Sequence, residues 1–94
     1  MVEPAACSFG LTAQLRRAAA SVPTNIAEGA KRQSSRDFAH FLNIAESSLA
    51  ETEYLLLLAQ DLRFPMPGAP FAEMEELAKM LHGLRKRVLE ETDP

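Results

Sequence analysis

The 94-residue chain carries 10 basic and 13 acidic residues, a net charge of −3, and a 47% hydrophobic fraction that is too high for intrinsic disorder. No run reaches the roughly 18 apolar residues a membrane helix needs, and no basic start with an apolar stretch and cleavage site marks secretion. One domain over residues 1–94 is expected, and a chain this short buries only about 60–65% of the surface its unfolded form exposes, so a monomer is marginally stable.

Five Phe, one Tyr and no Trp stand beside abundant Ala and Leu, a balance that favours helix over sheet. The lone Cys7 cannot staple the chain and fits a reducing compartment, so a bacterial-type cytoplasmic protein is the expectation. Residues 1–9, with Pro4 and small neighbours, show no periodicity and read as a loose lead-in.

Three helices are predicted, over about 11–28, 35–63 and 70–91. The first carries Leu11, Leu15, Ala18, Ala19, Val22 and Ile26 as one apolar stripe. Pro23 interrupts it, predicting a kink near Ala19–Pro23 with Ser21 satisfying freed backbone, or else two short helices end to end. Gly29 suits the position just past its end, where a left-handed backbone is cheap for glycine.

The second helix opens on Ser34-Ser35-Arg36-Asp37, a capping-box pattern, and Pro65 and Pro67-Gly68 close it. Phe38, Leu42, Ala45, Leu49, Thr52, Leu56 and Ala59 make a heptad seam, while Phe41, Ile44, Ser48, Leu55, Leu58 and Leu62 make a second on an adjoining face. Two seams exceed the stripe of a surface helix, so neighbours are expected on two sides. The third helix begins at Pro70, with Glu73, Glu75 and Glu76 near its positive end and Arg85, Lys86 and Arg87 near its negative end. Its apolar face is Phe71, Met74, Leu77, Ala78, Leu81, Leu84 and Val88. Short loops between amphipathic helices give an all-α, up-down antiparallel bundle.

Charge is unevenly placed. Gly10–Arg36 holds five basic residues and one acid, a local +4, whereas Asp37–Pro94 holds five basic and eleven acidic, a local −6. Pairing between helices explains this as well as an anionic partner does.

Over Gly10–Leu62, 53 of 94 residues, the pattern becomes specific. Gln14-Leu15-Arg16-Arg17-Ala18, Asn25-Ile26-Ala27-Glu28-Gly29, and Phe41-Leu42-Asn43-Ile44-Ala45 followed by Ser48-Leu49 and Glu51 resemble the four-helix-bundle family encoded in intervening sequences of 23S ribosomal RNA genes. Lys79-Met80-Leu81 and Gly83-Leu84 match more loosely. The chain is similar also to the accessory protein of diversity-generating retroelements, a pentameric barrel with a basic surface that works with reverse transcriptase and nucleic acid. The resemblance implies a homopentamer of four-helix subunits and names the fold better than the job. Such proteins usually carry another helix before the segment matching Gly10, where nine residues stand here. Either the start is truncated or this member makes do with three helices, and a partner subunit is expected to cover the second seam.

Gln14, Arg17, Ser21, Asn25 and Glu28 follow at three or four residues, a polar stripe for which Glu46, Glu51 and Glu53 offer acceptors to Arg17. A structural polar network of Gln14, Arg17, Asn25, Glu28, Glu46 and Glu51 is the expected reading, ahead of a catalytic pairing of Asn25 with Glu28. Lys31, Arg32 and Arg36 cluster at the turn between the first two helices. That cluster is either ordinary solvated surface or, with Arg16, a nucleic-acid contact repeated around a ring. No aromatics interleave with these cations, so binding would be weakly sequence-specific, with RNA and DNA both open.

Asp37 and His40 have a carboxylate-metal spacing but no second such pair, and Cys7 has no identifiable base. No phosphate loop, zinc spacing or hydrolase elbow is present. The expectation is a non-enzymatic self-associating bundle with no cofactor, metal, membrane contact or small-molecule substrate. The rival reading is a protein-interaction adaptor that binds no nucleic acid.

Overall fold

The computed structural model describes residues 4–91, with side chains described from Gly10 onward. These residues form α1 (Pro4–Ala30), α2 (Ser35–Asp61) and α3 (Phe71–Glu90), with no strand among them. The all-α bundle is as the sequence predicts. The expected lead-in is corrected: α1 already runs from Pro4, where a proline suits a first helical turn and Ala5 and Ala6 are strong helix formers. Residues 1–3 lie outside the described residues.

α1 passes through Pro23 as a single helix, which removes the two-helix alternative. Polar side chains around the proline bond within the helix: Thr24 Oγ1 donates to the Ala20 carbonyl at 2.7 Å and Asn25 Nδ2 to the Ser21 carbonyl at 2.7 Å. The Ser21 hydroxyl itself bonds across to Ser48 Oγ, 2.7 Å away, linking α1 to α2.

Gly29 corrects a second expectation. It lies inside α1 and is buried, rather than standing past its end. A Cβ built there would meet Phe41 Cβ at 2.7 Å, Phe38 Cδ1 at 2.9 Å and the Phe38 carbonyl at 3.3 Å. Only glycine lets α1 come this close to the first turns of α2, and the tight turn over 31–34 depends on that approach.

α2 starts as its sequence indicates. Ser34 has an extended backbone and its Oγ accepts from the Asp37 amide at 2.9 Å, satisfying one of the orphan donors of the first turn. Its end rests on a different device from the prolines. The Arg63 amide donates to the Gln60 carbonyl and the Phe64 amide to the Ala59 carbonyl, each at 3.0 Å, with Arg63 at φ 64°. This is a Schellman motif with arginine where glycine is usual. At α3, Pro70 occupies the capping position rather than the first helical one, and its carbonyl accepts from the Met74 amide at 3.0 Å.

α2 is the shared element. α1 and α3 both pack on it, and the two outer helices do not approach each other along their backbones. One core joins Val22 of α1, Ala39, Leu42, Ala45 and Leu49 of α2, and Met74, Leu81 and Val88 of α3. Leu42 and Ala45 have no exposed surface at all.

The second seam is not the uncovered face. Ser48 and Leu55 are buried and Phe41, Ile44 and Leu58 half-buried, with Ser48 bonded to Ser21 and Phe41 close to Gly29 of α1, leaving only Leu62 exposed. An apolar cleft lies instead along the strip of α2 between its two neighbours. There Leu49, Thr52 and Leu56 floor a cleft of about 630 Å³, walled by Leu15, Ala19, Val22, Pro23 and Ile26 on one side and Pro70, Met74 and Leu77 on the other. The cleft arises because α1 and α3 flank α2 without closing over it.

Two substitutions test these local arguments. Gly29→Ala must push α1 off Phe41 and is expected to cost about 1–3 kcal/mol despite alanine's better helix propensity; an unchanged denaturation midpoint would contradict the close approach. Arg63→Gly should raise stability by about 1 kcal/mol, because a left-handed backbone is strained for any residue with a Cβ. A lowered midpoint would show that the arginine side chain holds the loop.

Candidate nucleic-acid interface and interhelical polar contacts

The 31–34 turn follows from the end of α1. The Lys31 amide bonds the Glu28 carbonyl at 3.3 Å and the Arg32 amide the Gly29 carbonyl at 3.0 Å. Arg32 Nη2 donates to Glu28 Oε2 at 3.2 Å, and its guanidinium lies 4.7 Å from the centroid of the Phe41 ring. His40 meets the edge of that same ring, with centroids 5.7 Å apart at 73°. Arg32 is thus held in place by a carboxylate and an aromatic face. Lys31 and Arg36 are exposed and hold no ion pair among the described residues. They flank the N-terminus of α2, where the helix dipole adds positive potential.

Arg16 does not join this group. It stands fifteen positions before Lys31, about 22 Å at the rise of a helix. It stands exposed on the side of that helix away from α2.

The expected polar network divides into three separate places. Gln14, Arg17, Ala18 and Ser21 of α1 line a small cleft of about 230 Å³ with Ser48 and Glu51 of α2. Asn25 lies against Ser21, its Nδ2 2.9 Å from the hydroxyl that bridges to Ser48. Glu28 turns to Arg32. Glu46 leaves the group altogether. It faces α3, where it binds Arg85 Nε and stands 3.5 Å from His82 Nδ1, so it supplies no acceptor to Arg17. The reason is angular: Glu46 follows Ala45 by 100° around α2, onto the side that α3 covers.

The contacts missed in the sequence are Ser48 and Arg85. Ser48 is a hydroxyl in a row of apolar seam positions, which marks it as a polar group needing a partner. Arg85 lies four residues after Leu81 and three before Val88, both buried, so it borders the face of α3 that meets α2. Arg85 Nη2 also reaches His82 Nδ1 at 3.2 Å, and the pair with Glu46 is three-quarters or more buried. Removing one partner of such a pair strands the other, so its loss would cost more than the pair's net contribution to stability.

Among the described residues no group of three or more His, Cys, Asp or Glu is placed to hold a metal ion. No described helix is long and apolar enough to cross a membrane.

Comparison with known proteins agrees with the residues quoted above. No curated protein matches the chain, and no solved structure does. The family model of the 23S rRNA-intervening sequence protein matches residues 3–83. The match takes in most of all three helices and both of the turns that join them. The chain belongs to the 23S rRNA-intervening sequence protein family.

Proposed function

We propose that this chain is a non-enzymatic, cytoplasmic, self-associating helical bundle that binds nucleic acid through the turn between α1 and α2. The observation that carries the reading is the exposed pair Lys31 and Arg36 beside Arg32 at the positive end of α2. Phosphate contacts of this kind set affinity and leave sequence largely unread. The family's description, which ties its genes to ribosomal RNA, favours RNA as the first ligand to try. A pentamer, implied by the resemblance, would repeat the turn five times.

Self-association is supported by apolar surface that a monomer leaves wet. Tyr54 is 63% exposed and Met80 64%, and Leu57, Leu62, Leu84 and Leu89 are exposed as well. The cleft between α1 and α3 is lined by aliphatic side chains, Thr52 being its one hydroxyl, which is the chemistry of packing rather than of reaction.

Fluorescence anisotropy with a labelled single-stranded RNA, titrated from 50 to 200 mM salt, tests the interface. Affinity should fall steeply with salt, and reversing Lys31, Arg32 and Arg36 to Glu should flatten the log–log slope by about two units per subunit engaged. Arg16→Glu should change the slope by less than the triple reversal. No binding by the unaltered protein at 50 mM salt would favour an adaptor whose turn meets an acidic protein instead.

A further inference from the structure

We infer that the basic turn takes single-stranded rather than duplex nucleic acid, with the His40 ring as the platform for one unpaired base. This rests on the nucleic-acid reading proposed above and names the form of nucleic acid it selects.

Along the chain, no aromatic residue stands among Lys31, Arg32 and Arg36. The fold brings two rings to them from the first turns of α2. His40 follows Arg36 by four residues, so the two side chains are neighbours on one helix face, about 6 Å apart along its axis. Both are exposed. Phe41 is half-buried close to Gly29 and serves as the anchor. The Arg32 guanidinium lies 4.7 Å from its centroid, and the His40 ring stands 5.7 Å away at 73°. The Arg32 side chain remains 45% exposed in this position.

An exposed histidine alone would signify nothing. This one is set against a fixed ring, so part of its freedom is lost before any ligand arrives and binding has less entropy to remove. The contrast with His82 is informative. His82 Nδ1 lies between Arg85 and Glu46, whereas His40 makes no hydrogen bond or ion pair among the described residues. Asn43 stands three residues further along α2 and is exposed. Its side-chain amide is also without a hydrogen bond among the described residues, and an amide offers a donor and an acceptor to a base edge.

The cations attract the phosphates of any nucleic acid. A stacking ring needs a base with a free face, and duplex bases hide theirs against one another. Rings and guanidinium planes beside a basic patch therefore favour an unpaired strand, and they do so for every base alike.

Fluorescence anisotropy at one salt concentration tests this with three probes: a labelled single-stranded RNA, the same strand annealed to its complement, and an abasic strand of equal length. The unaltered protein should bind the single strand tightest. His40→Ala lies at an exposed helix position, where alanine is the better helix former, so circular dichroism should show unchanged helicity. It should weaken single-strand binding about 5- to 150-fold, the range for one lost base stack, and leave the other two probes unaffected. His40→Tyr, which keeps a ring without a cation, should restore the single-strand affinity. A duplex or abasic strand bound as tightly as the single strand overturns the inference and leaves the phosphate contacts standing. So does a His40→Ala protein of unaltered affinity, an equal loss on all three probes, or a His40→Tyr protein as weak as His40→Ala. An unaltered protein that binds none of the three overturns both readings.

Discussion

Leu42 and Ala45 reach zero exposure because α2 is buried from two sides by helices whose backbones do not approach each other. Burying one leucine contributes on the order of 1.5–3 kcal/mol, and the core built around this pair contains residues of all three helices. The arrangement demands that α1 lie close to α2, which the missing Cβ of Gly29 permits against Phe38 and Phe41. α3 is tied to α2 beside this core by the Glu46–Arg85 pair. The same geometry has a cost: two outer helices on one central helix leave a strip of it, from Leu49 to Leu56, as the floor of an open trough.

The helices themselves were legible because periodicity and capping act locally. Ser34 caps α2 as its neighbours indicate, and the apolar stripe of α3 is the buried one. The failures came where a residue's role is set by something distant in sequence. Gly29 reads as a helix terminator from its own neighbours, and only Phe41, twelve residues on, reveals it as a contact point. Arg63 carries no glycine signal, yet it takes the left-handed position because Phe64 and Ala59 complete the motif around it. Both seams of α2 were visible, but which one α1 would cover was not. Heptad spacing fixes faces relative to one another and says nothing of which neighbour meets which face.

The candidate site shows the same division. Lys31, Arg32 and Arg36 stay together because they share a short turn, and sequence proximity suffices to group them. Arg16 parts from them because an unbroken helix carries it about 22 Å away. The polar residues of α1 lie in a row as their spacing indicates, but their partners on α2 are chosen by angle. Ser48 and Glu51 face α1, while Glu46 faces α3. Basic turn and apolar trough are thus separate surfaces, the first at the start of α2 and the second along its Leu49–Leu56 strip.

Self-association, as proposed, would bury apolar side chains that one copy leaves exposed, Tyr54 and Met80 among them. The most direct measurement is the thermal midpoint followed over a hundredfold range of protein concentration. Association coupled to folding raises the midpoint as concentration rises, by mass action. A midpoint that does not move with concentration would contradict self-association coupled to folding.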